Sequence, residues 1–262
     1  MLALVINVEE LAKKIQLLDE AYRAGNPLVS DYEFDKLRAE LVDIAPDHPT
    51  LLSPGGGNYL LSLGNHSFED WYRDLPLNTD VVVEPKIDGC AVALRYRFGE
   101  LVKAWNRKGK DITYAMRKVK NLPQKINHLD CLEVRGELYG LTGHTKSQRL
   151  AAGHMRKKAP DGEGLAFCAF EIMGKDDGYE IDTLQQLLCW KFYVCGHIHI
   201  KSNVIQKVKV LHEDWQDSLV FSRYPTDGLV VKVNNHKLQA ELGSGSVAPR
   251  WALAVKEWKD PD

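Results

Sequence analysis

The sequence predicts an α+β protein: a small N-terminal helical hairpin, then a larger domain of mostly antiparallel strands with flanking helices. Three observations carry this. Apolar residues recur at helical spacing over residues 8–45. From about residue 80 the period changes, and short β-branched runs separated by Gly, Asp and Asn take over. Length and composition are those of an ordinary globular chain: 262 residues, 44% hydrophobic and 27% charged.

Taken in order, Asn7 followed by Glu10 is an N-cap pattern, and Leu11, Ile15, Leu18 and Tyr22 then share one helical face up to the stop at Gly25. Ser30 and Glu33 form a second capping pair. Phe34, Leu37, Leu41 and Ile44 follow at helical spacing, and Pro46 closes the run. Ser53-Pro54-Gly55-Gly56-Gly57 reads as a linker, which sets a domain boundary between residues 57 and 58. Strands are predicted at Val81-Val82-Val83, Leu101-Val102, Leu132-Glu133-Val134, Phe167-Cys168-Ala169-Phe170, Leu229-Val230-Val231 and Trp251-Ala252-Leu253-Ala254-Val255. Residues 182–192, capped by Asp182 with Gln185, and the stretch near Leu150 read as helices.

Several classes are excluded. With 34 Lys plus Arg against 36 Asp plus Glu, the net charge is −2, and the chain is not of the disordered type. No run approaches 18 apolar residues, so no membrane span is expected. Residues 1–6 lack a basic region and do not read as a signal peptide. Five Cys without paired spacing fit free thiols in a reducing cytoplasm. Cys189, Cys195, His197 and His199 match no common zinc spacing, and the His alternation is that of a half-exposed strand, so no metal site is expected there.

The informative residues are charges inside apolar strands: Glu84 and Lys86, Glu133 and Glu137, Lys232, and Lys256. One such charge is usually a solvated strand face or an edge gatekeeper. Taken jointly, these describe a cleft lined by both signs, in which lysines meet phosphates and carboxylates meet ribose hydroxyls, a base amine or Mg²⁺. A lysine amine attacks phosphorus only once deprotonated, and cations from Lys232 and Lys256 in the same pocket would favour that form of Lys86.

Lys86-Ile87-Asp88-Gly89 resembles the nucleophile motif of the covalent nucleotidyltransferases, the DNA ligases, RNA ligases and capping enzymes. In family order, Glu133-Val134-Arg135-Gly136-Glu137 resembles the third motif, the run from Phe167 to Phe170 the aromatic strand, Asp227-Gly228-Leu229-Val230-Val231-Lys232-Val233 the fourth motif, and Ala254-Val255-Lys256 the fifth. Glu84-Pro85-Lys86-Ile87-Asp88-Gly89, Leu61-Ser62-Leu63, Ala248-Pro249-Arg250-Trp251-Ala252 and the helical hairpin with Ser30-Asp31-Tyr32-Glu33-Phe34-Asp35 look like the NAD⁺-dependent DNA ligase branch.

That resemblance implies a nucleotidyltransferase (ATP-grasp-like) domain over residues 58–262 and a helical domain over residues 1–57 that binds the nicotinamide mononucleotide (NMN) half of NAD⁺. It implies NAD⁺ and Mg²⁺ as cofactors and nicked double-stranded DNA as partner, with no membrane. Lys86 would displace NMN to form lysyl-AMP, with Asp88, Lys232 and Lys256 as further catalytic residues; Asp88 would organise the nucleophile turn and meet Mg²⁺. Glu84 would bind the adenine amine and Glu137 the ribose. Ser62, Leu63 and Ile87 would line the nucleotide, and Arg107 would contact phosphate. Tyr22, Arg23, Asp31, Phe34 and Asp35 would form the mononucleotide site, where Asp31 and Asp35 share one helical face and the Tyr22 ring suits a cationic nicotinamide.

The chain departs from the family at Arg23, where His is usual, and at Phe34, where Tyr is usual. These departures keep open an ATP-dependent DNA or RNA ligase; a catalytically weak adenylate- or nucleic-acid-binding scaffold is the third reading. Neither the family's OB-fold, helix-hairpin-helix and BRCT regions nor a Cys quartet for its zinc finger occurs in these 262 residues. The expectation is therefore either an excised piece or one subunit of a split ligase, as in some bacteriophages, with a separate OB-fold chain. Residues 103–125 carry eight Lys or Arg against one Asp, and residues 144–158 carry five more with no acid. They read either as a phosphate-tracking surface or as solvated loops.

Overall fold

The computed structural model describes residues 7–23, 28–29, 31–45, 48, 50, 60, 62–141, 146–244 and 248–259. Gly25, Ser30, Pro46, Leu61 and the Ser53–Gly57 linker lie outside the described residues. Helix α1 (Val8–Arg23) starts where the sequence places it: the Asn7 Oδ1 accepts hydrogen bonds from the Glu9 and Glu10 amides at 3.1 and 3.4 Å. Helix α2 (Asp31–Ile44) packs on α1 through Leu11, Ala12, Ile15 and Leu41, with Phe34 and Leu37 beside them.

Two four-stranded antiparallel sheets follow. The first has the order β6-β1-β7-β8, built from β1 (Val81–Ile87), β6 (Ile198–Ile200), β7 (Thr226–Val233) and β8 (Ala252–Val255). The second has the order β3-β2-β4-β5, built from β2 (Cys90–Arg97), β3 (Glu100–Asn106), β4 (Leu132–Gly140) and β5 (Leu165–Ile172). Alternation along the strands decides what each face carries. Val81 and Val83, with Leu229, Val231 and Val233, turn to a core closed by α3 (Phe68–Arg73) and α7 (Val204–Gln216). Val82 belongs instead to the core of the second sheet, with Val92, Leu94, Tyr96, Leu138 and Phe167 under α4 (Thr113–Met116), α5 (Ser147–His154) and α6 (Glu180–Cys189). Glu84 and Lys232 share the parity of Val82, so they too face away from the first core.

Several elements differ from the sequence reading. Helix α6 begins at Glu180, with Tyr179 and not Asp182 at its cap position. The reason is long-range: the Glu180 amide donates to the Asn234 carbonyl (2.6 Å) and the Ile181 amide to Asn234 Oδ1 (3.1 Å), so the residue after β7 satisfies the helix start. Strand β2 and helices α3, α7 and α8 (His236–Leu242) have no counterpart among the predicted elements. His197 and His199 lie in and beside β6, half-buried as their alternation suggests. No described helix is long and apolar enough to cross a membrane.

The α6 register is directly testable. Leu184 is fully buried, whereas Leu188 is 42% exposed. Leu184→Ala is expected to cost ~2–5 kcal/mol in urea unfolding. Leu188→Ala should stay within about 0.5 kcal/mol, as surface substitutions do.

Candidate active site

A cavity of about 1520 Å³ opens between the two sheets, and α1 and α2 add Leu18, Asp19 and Phe34 to its lining. The end of β1 is the centre of the site. The β1–β7 ladder shifts register between Pro85 and Ile87, so Lys86 sits on a bulge that takes it out of the pairing. Pro85, which cannot donate to a ladder, lies beyond the β1–β6 pairing, which covers residues 81–83 only. The turn after Lys86 requires glycine: a Cβ on Gly89 would lie 2.4 Å from the Leu138 carbonyl oxygen and 2.8 Å from Glu137 Cγ.

Lys86 Nζ donates to Asp227 Oδ1 at 2.8 Å, and Lys256 Nζ approaches Asp227 Oδ2 at 2.7 Å. One carboxylate therefore holds two lysines from opposite sides. Burial alone would raise the Asp227 pKa, but hydrogen bonds from Lys256 and Lys86 outweigh it and hold the group below the ordinary carboxylate value. Gly228 permits the close approach: a Cβ there would lie 2.7 Å from the Val255 carbonyl oxygen and 3.0 Å from Lys256 Cα. Lys86 is 23% exposed and Lys256 41%, so both reach the open side of the cavity.

Lys232 is placed differently. It is buried, and its ammonium meets Glu84 Oε2 at 2.7 Å, Glu180 Oε1 at 2.8 Å and the Phe170 carbonyl at 2.8 Å. An ammonium has three N–H groups, and these three acceptors use them all. Burial works against the charge, yet Glu180 and Glu84 hold the Lys232 pKa above its ordinary value. The Glu84 carboxyl is pushed up by burial and by Glu180, against the pull of Lys232. The sequence reading set Lys232 beside Lys86 as a cation that would favour its free amine. In this arrangement its charge is enclosed by two carboxylates, and it is Lys256 that shares a partner with Lys86.

Glu137 on β4 also lines the cavity. Burial pushes its pKa up to about 8, although the Lys86 and Arg107 cations pull the other way. Arg107 donates to Ser62 Oγ at 3.1 Å, and Leu63, Ile87 and Asp88 complete this part of the lining. The side chains of Tyr22, Arg23, Asp31 and Asp35 lie outside the described residues.

Asp227 and Glu180 are the residues that sequence reasoning did not assign. Asp227 carried a signal, because Asp227-Gly228 before an apolar strand repeats the Asp88-Gly89 pattern. Glu180 carried none, since its role depends on a contact with Lys232 across 52 residues of chain. Among the described residues no group of three or more His, Cys, Asp or Glu converges to hold a metal ion. Cys189 is exposed while Cys195 is buried, and His199 is taken up by Asp80 at 2.5 Å.

Residues 64–259 match the family model described as NAD-dependent DNA ligase adenylation domain. A curated protein of Bacillus subtilis (strain 168) named DNA ligase is 31% identical over an alignment of 304 positions that covers 95% of this chain and 45% of the relative. One of Clostridioides difficile (strain 630), also named DNA ligase, is 30% identical over an alignment of 305 positions, with the same coverage. The chain thus spans somewhat less than half the length of these relatives. Among solved structures, an ATP-dependent DNA ligase from bacteriophage T7 in complex with ATP aligns at a TM-score of 0.42 and 13% identity, covering 66% of this chain and 63% of that one.

The raised Glu137 pKa fixes the sign of a pH effect. The folded protein binds a proton here that the unfolded chain releases near pH 4.5, so this group's contribution to stability falls as pH rises from there to about 8. Glu137→Gln is expected to flatten that slope and to raise the unfolding midpoint relative to wild type at pH 9. Equal pH dependence in the two proteins would contradict the assignment.

Proposed function

Since the chain belongs to the NAD-dependent DNA ligase adenylation-domain family, we propose that it performs the first step of NAD⁺-dependent nick sealing. The Lys86 amine attacks the α-phosphorus of NAD⁺, a phosphorus–nitrogen bond forms, the pyrophosphate P–O bond breaks, and NMN leaves. The AMP then passes to the 5′-phosphate of a DNA nick, and the 3′-hydroxyl displaces it. In this reading a separate OB-fold-containing ligase subunit is a candidate partner for the sealing step. The observation that carries this reading is the Lys86–Asp227–Lys256 arrangement at a cavity walled by both sheets and by α1 and α2.

Each residue has a task in this reading. The ion pair with Asp227 is a resting form, because an ammonium cannot attack phosphorus; Asp227, held below the ordinary carboxylate value, is a weak base, so Lys86 sheds its proton to solvent at the open side of the cavity before it attacks. Lys256 neutralises charge developing on the α-phosphate. Arg107 and Ser62 serve the nucleotide's phosphate and ribose end, with Glu137 at the ribose. The wall contributed by Leu18, Asp19 and Phe34 favours NAD⁺ over ATP, because a helical cover on this side of the cavity suits a second nucleotide. In this reading residues 1–57 are the mononucleotide-binding domain, with Tyr22, Arg23, Asp31 and Asp35, and residues 58–262 are the adenylation domain. Among the described residues no donor group forms a resident metal cage; a Mg²⁺ ion held by the dinucleotide's phosphates would need only one or two carboxylates, and Asp88 would be the candidate. The exposed Lys108, Lys110, Lys118 and Arg156 suit tracking of DNA phosphates.

Intact mass after incubation with NAD⁺ or ATP tests the central step. The expected result is a gain of one AMP from NAD⁺ only, lost in Lys86→Ala; a gain from ATP only would overturn the cofactor assignment. Asp35→Ala is expected to lower the rate of adenylation by NAD⁺ at least about tenfold, ~1.4 kcal/mol. It should leave AMP transfer from pre-adenylated protein to a nick intact. Equal use of NAD⁺ by this variant would remove Asp35 from the mononucleotide site.

A further inference from the structure

Lys256 reaches Asp227 from a place where the sheet no longer holds the chain. Strand β8 ends at Val255, and its last rung pairs Val255 with Leu229, so Lys256 lies one residue beyond the ladder. A long side chain on an unpaired residue keeps one geometry only if something else fixes its backbone. On β7, Thr226 and Asp227 lie at the strand end where the ladder to β1 has shifted register.

Helix α7 meets both strands at these points. The Lys256 carbonyl accepts a hydrogen bond from His212 Nε2 at 3.2 Å. A carbonyl cannot donate, so this contact fixes the tautomer with its proton on Nε2. Three residues on, on the same helical face, Trp215 Nε1 donates to Thr226 Oγ1 at 2.8 Å, beside Asp227 in the chain. His212 is 1% exposed and continues the buried stripe of Val204 and Val208, where an apolar side chain would leave no polar group to satisfy. Its ring lies 5.5 Å from that of Trp215 and 6.1 Å from that of Trp258, which lies 5.8 Å from Phe68 of α3. The imidazole is thus held between two indoles, one of them two residues past Lys256. Lys259 Nζ, donating to the Asn65 carbonyl at 2.8 Å, ties down the end of this segment.

We infer that His212 is a positioning residue for adenylation: with Trp215 one turn further along α7, it sets the Lys256 backbone against that of Asp227, so that the Lys256 ammonium stands at the carboxylate it shares with Lys86. Neither His212 nor Trp215 lines the cavity, so both act through the strands they grip. A cation aimed at charge that develops on the α-phosphate acts in the transition state, and its misplacement lowers the maximal rate more than it weakens ground-state binding. This deepens the adenylation reading by naming what places its second lysine, and it rests on that reading for the role of Lys256.

Single-turnover formation of lysyl-AMP, followed by intact mass over a range of NAD⁺ concentrations, separates maximal rate from half-saturation. His212→Leu has a similar volume and lacks the N–H. It is expected to lower the maximal rate at least about tenfold, with half-saturating NAD⁺ within about threefold of wild type. His212→Gln restores a donor and is expected to recover to within about threefold of the wild-type rate. A His212→Leu protein at the wild-type maximal rate overturns the inference, and so does a His212→Gln protein as slow as His212→Leu. If His212→Leu does not fold, Trp215→Phe decides: it keeps an aromatic ring, loses the bond to Thr226, and is expected to lower the maximal rate at least about threefold. A wild-type maximal rate in that variant overturns the inference.

A second readout needs no nucleotide. Acetic anhydride labels free amines, and peptide mass gives the labelling of Lys256 relative to the exposed Lys175. In His212→Leu the Lys256 amine leaves its ion pair, and this ratio is expected to rise at least about threefold, with no rise in His212→Gln. An unchanged ratio in folded His212→Leu overturns the positioning assignment whatever the enzyme does. The expected ratio, with no lysyl-AMP formed from NAD⁺ by the wild type, overturns only the enzymatic reading.

Discussion

The pairing of β1 with β7 is the constraint on which the rest of the site depends. Val82 lies opposite Lys232 and Glu84 opposite Val230. In that register Val81 and Val83 turn to one core with Leu229, Val231 and Val233, while Glu84 and Lys232 turn together to the other face. A slip of one residue would exchange the two sets, burying charges among the valines and exposing the valines to the cavity. The bulge after Pro85 then releases Lys86 from the ladder, and Gly228 on the partner strand lets β8 come close enough to deliver Lys256 to the same Asp227. One ladder thus places two ion clusters with opposite characters a few residues apart.

Those characters follow from exposure. Around Asp227 the lysines are partly exposed and two ammonium groups share one carboxylate, so the cluster carries excess positive charge at the mouth of the cavity. Around Lys232 all groups are buried and two carboxylates share one ammonium, so the excess is negative and must be relieved by a proton. The first arrangement suits an anionic phosphate arriving from solvent, and the second suits a neutral polar base packed against strands. Glu137 lies between these limits: burial favours its neutral form, while Lys86 and Arg107 favour the charged one.

What the sequence disclosed, and what it concealed, divides along the range of the interactions. The Asn7 cap, the β-branched runs of β1 and β7, and the Lys86 and Asp88-Gly89 turn are local patterns, and the structure places each where its pattern lies. Strand β2 was not legible because Ala91 and Ala93 are small on one face and Arg95, on that same face, is buried against Trp105, which removes the usual alternation of large apolar and polar residues. Helix α7 carries Val204, Val208 and Trp215 at helical spacing, broken by Lys207, Lys209 and His212, and its apolar stripe is plain only once the first sheet is there to receive it. The start of α6 is set by Asn234, and the role of Glu180 by Lys232; neither contact is encoded nearby in the chain. The assignment of Tyr22, Arg23, Asp31 and Asp35 to a mononucleotide site is a proposal that rests on the family resemblance alone.

In the proposed reaction the bulge, and not the cluster of lysines as a whole, selects the nucleophile. The most direct measurement is to incubate the protein with NAD⁺, digest it under mild conditions and map the adenylated lysine by tandem mass spectrometry. The expected result is AMP on Lys86 alone, with Lys232 and Lys256 unmodified. AMP found on Lys232 or Lys256, or spread among the three, would contradict it.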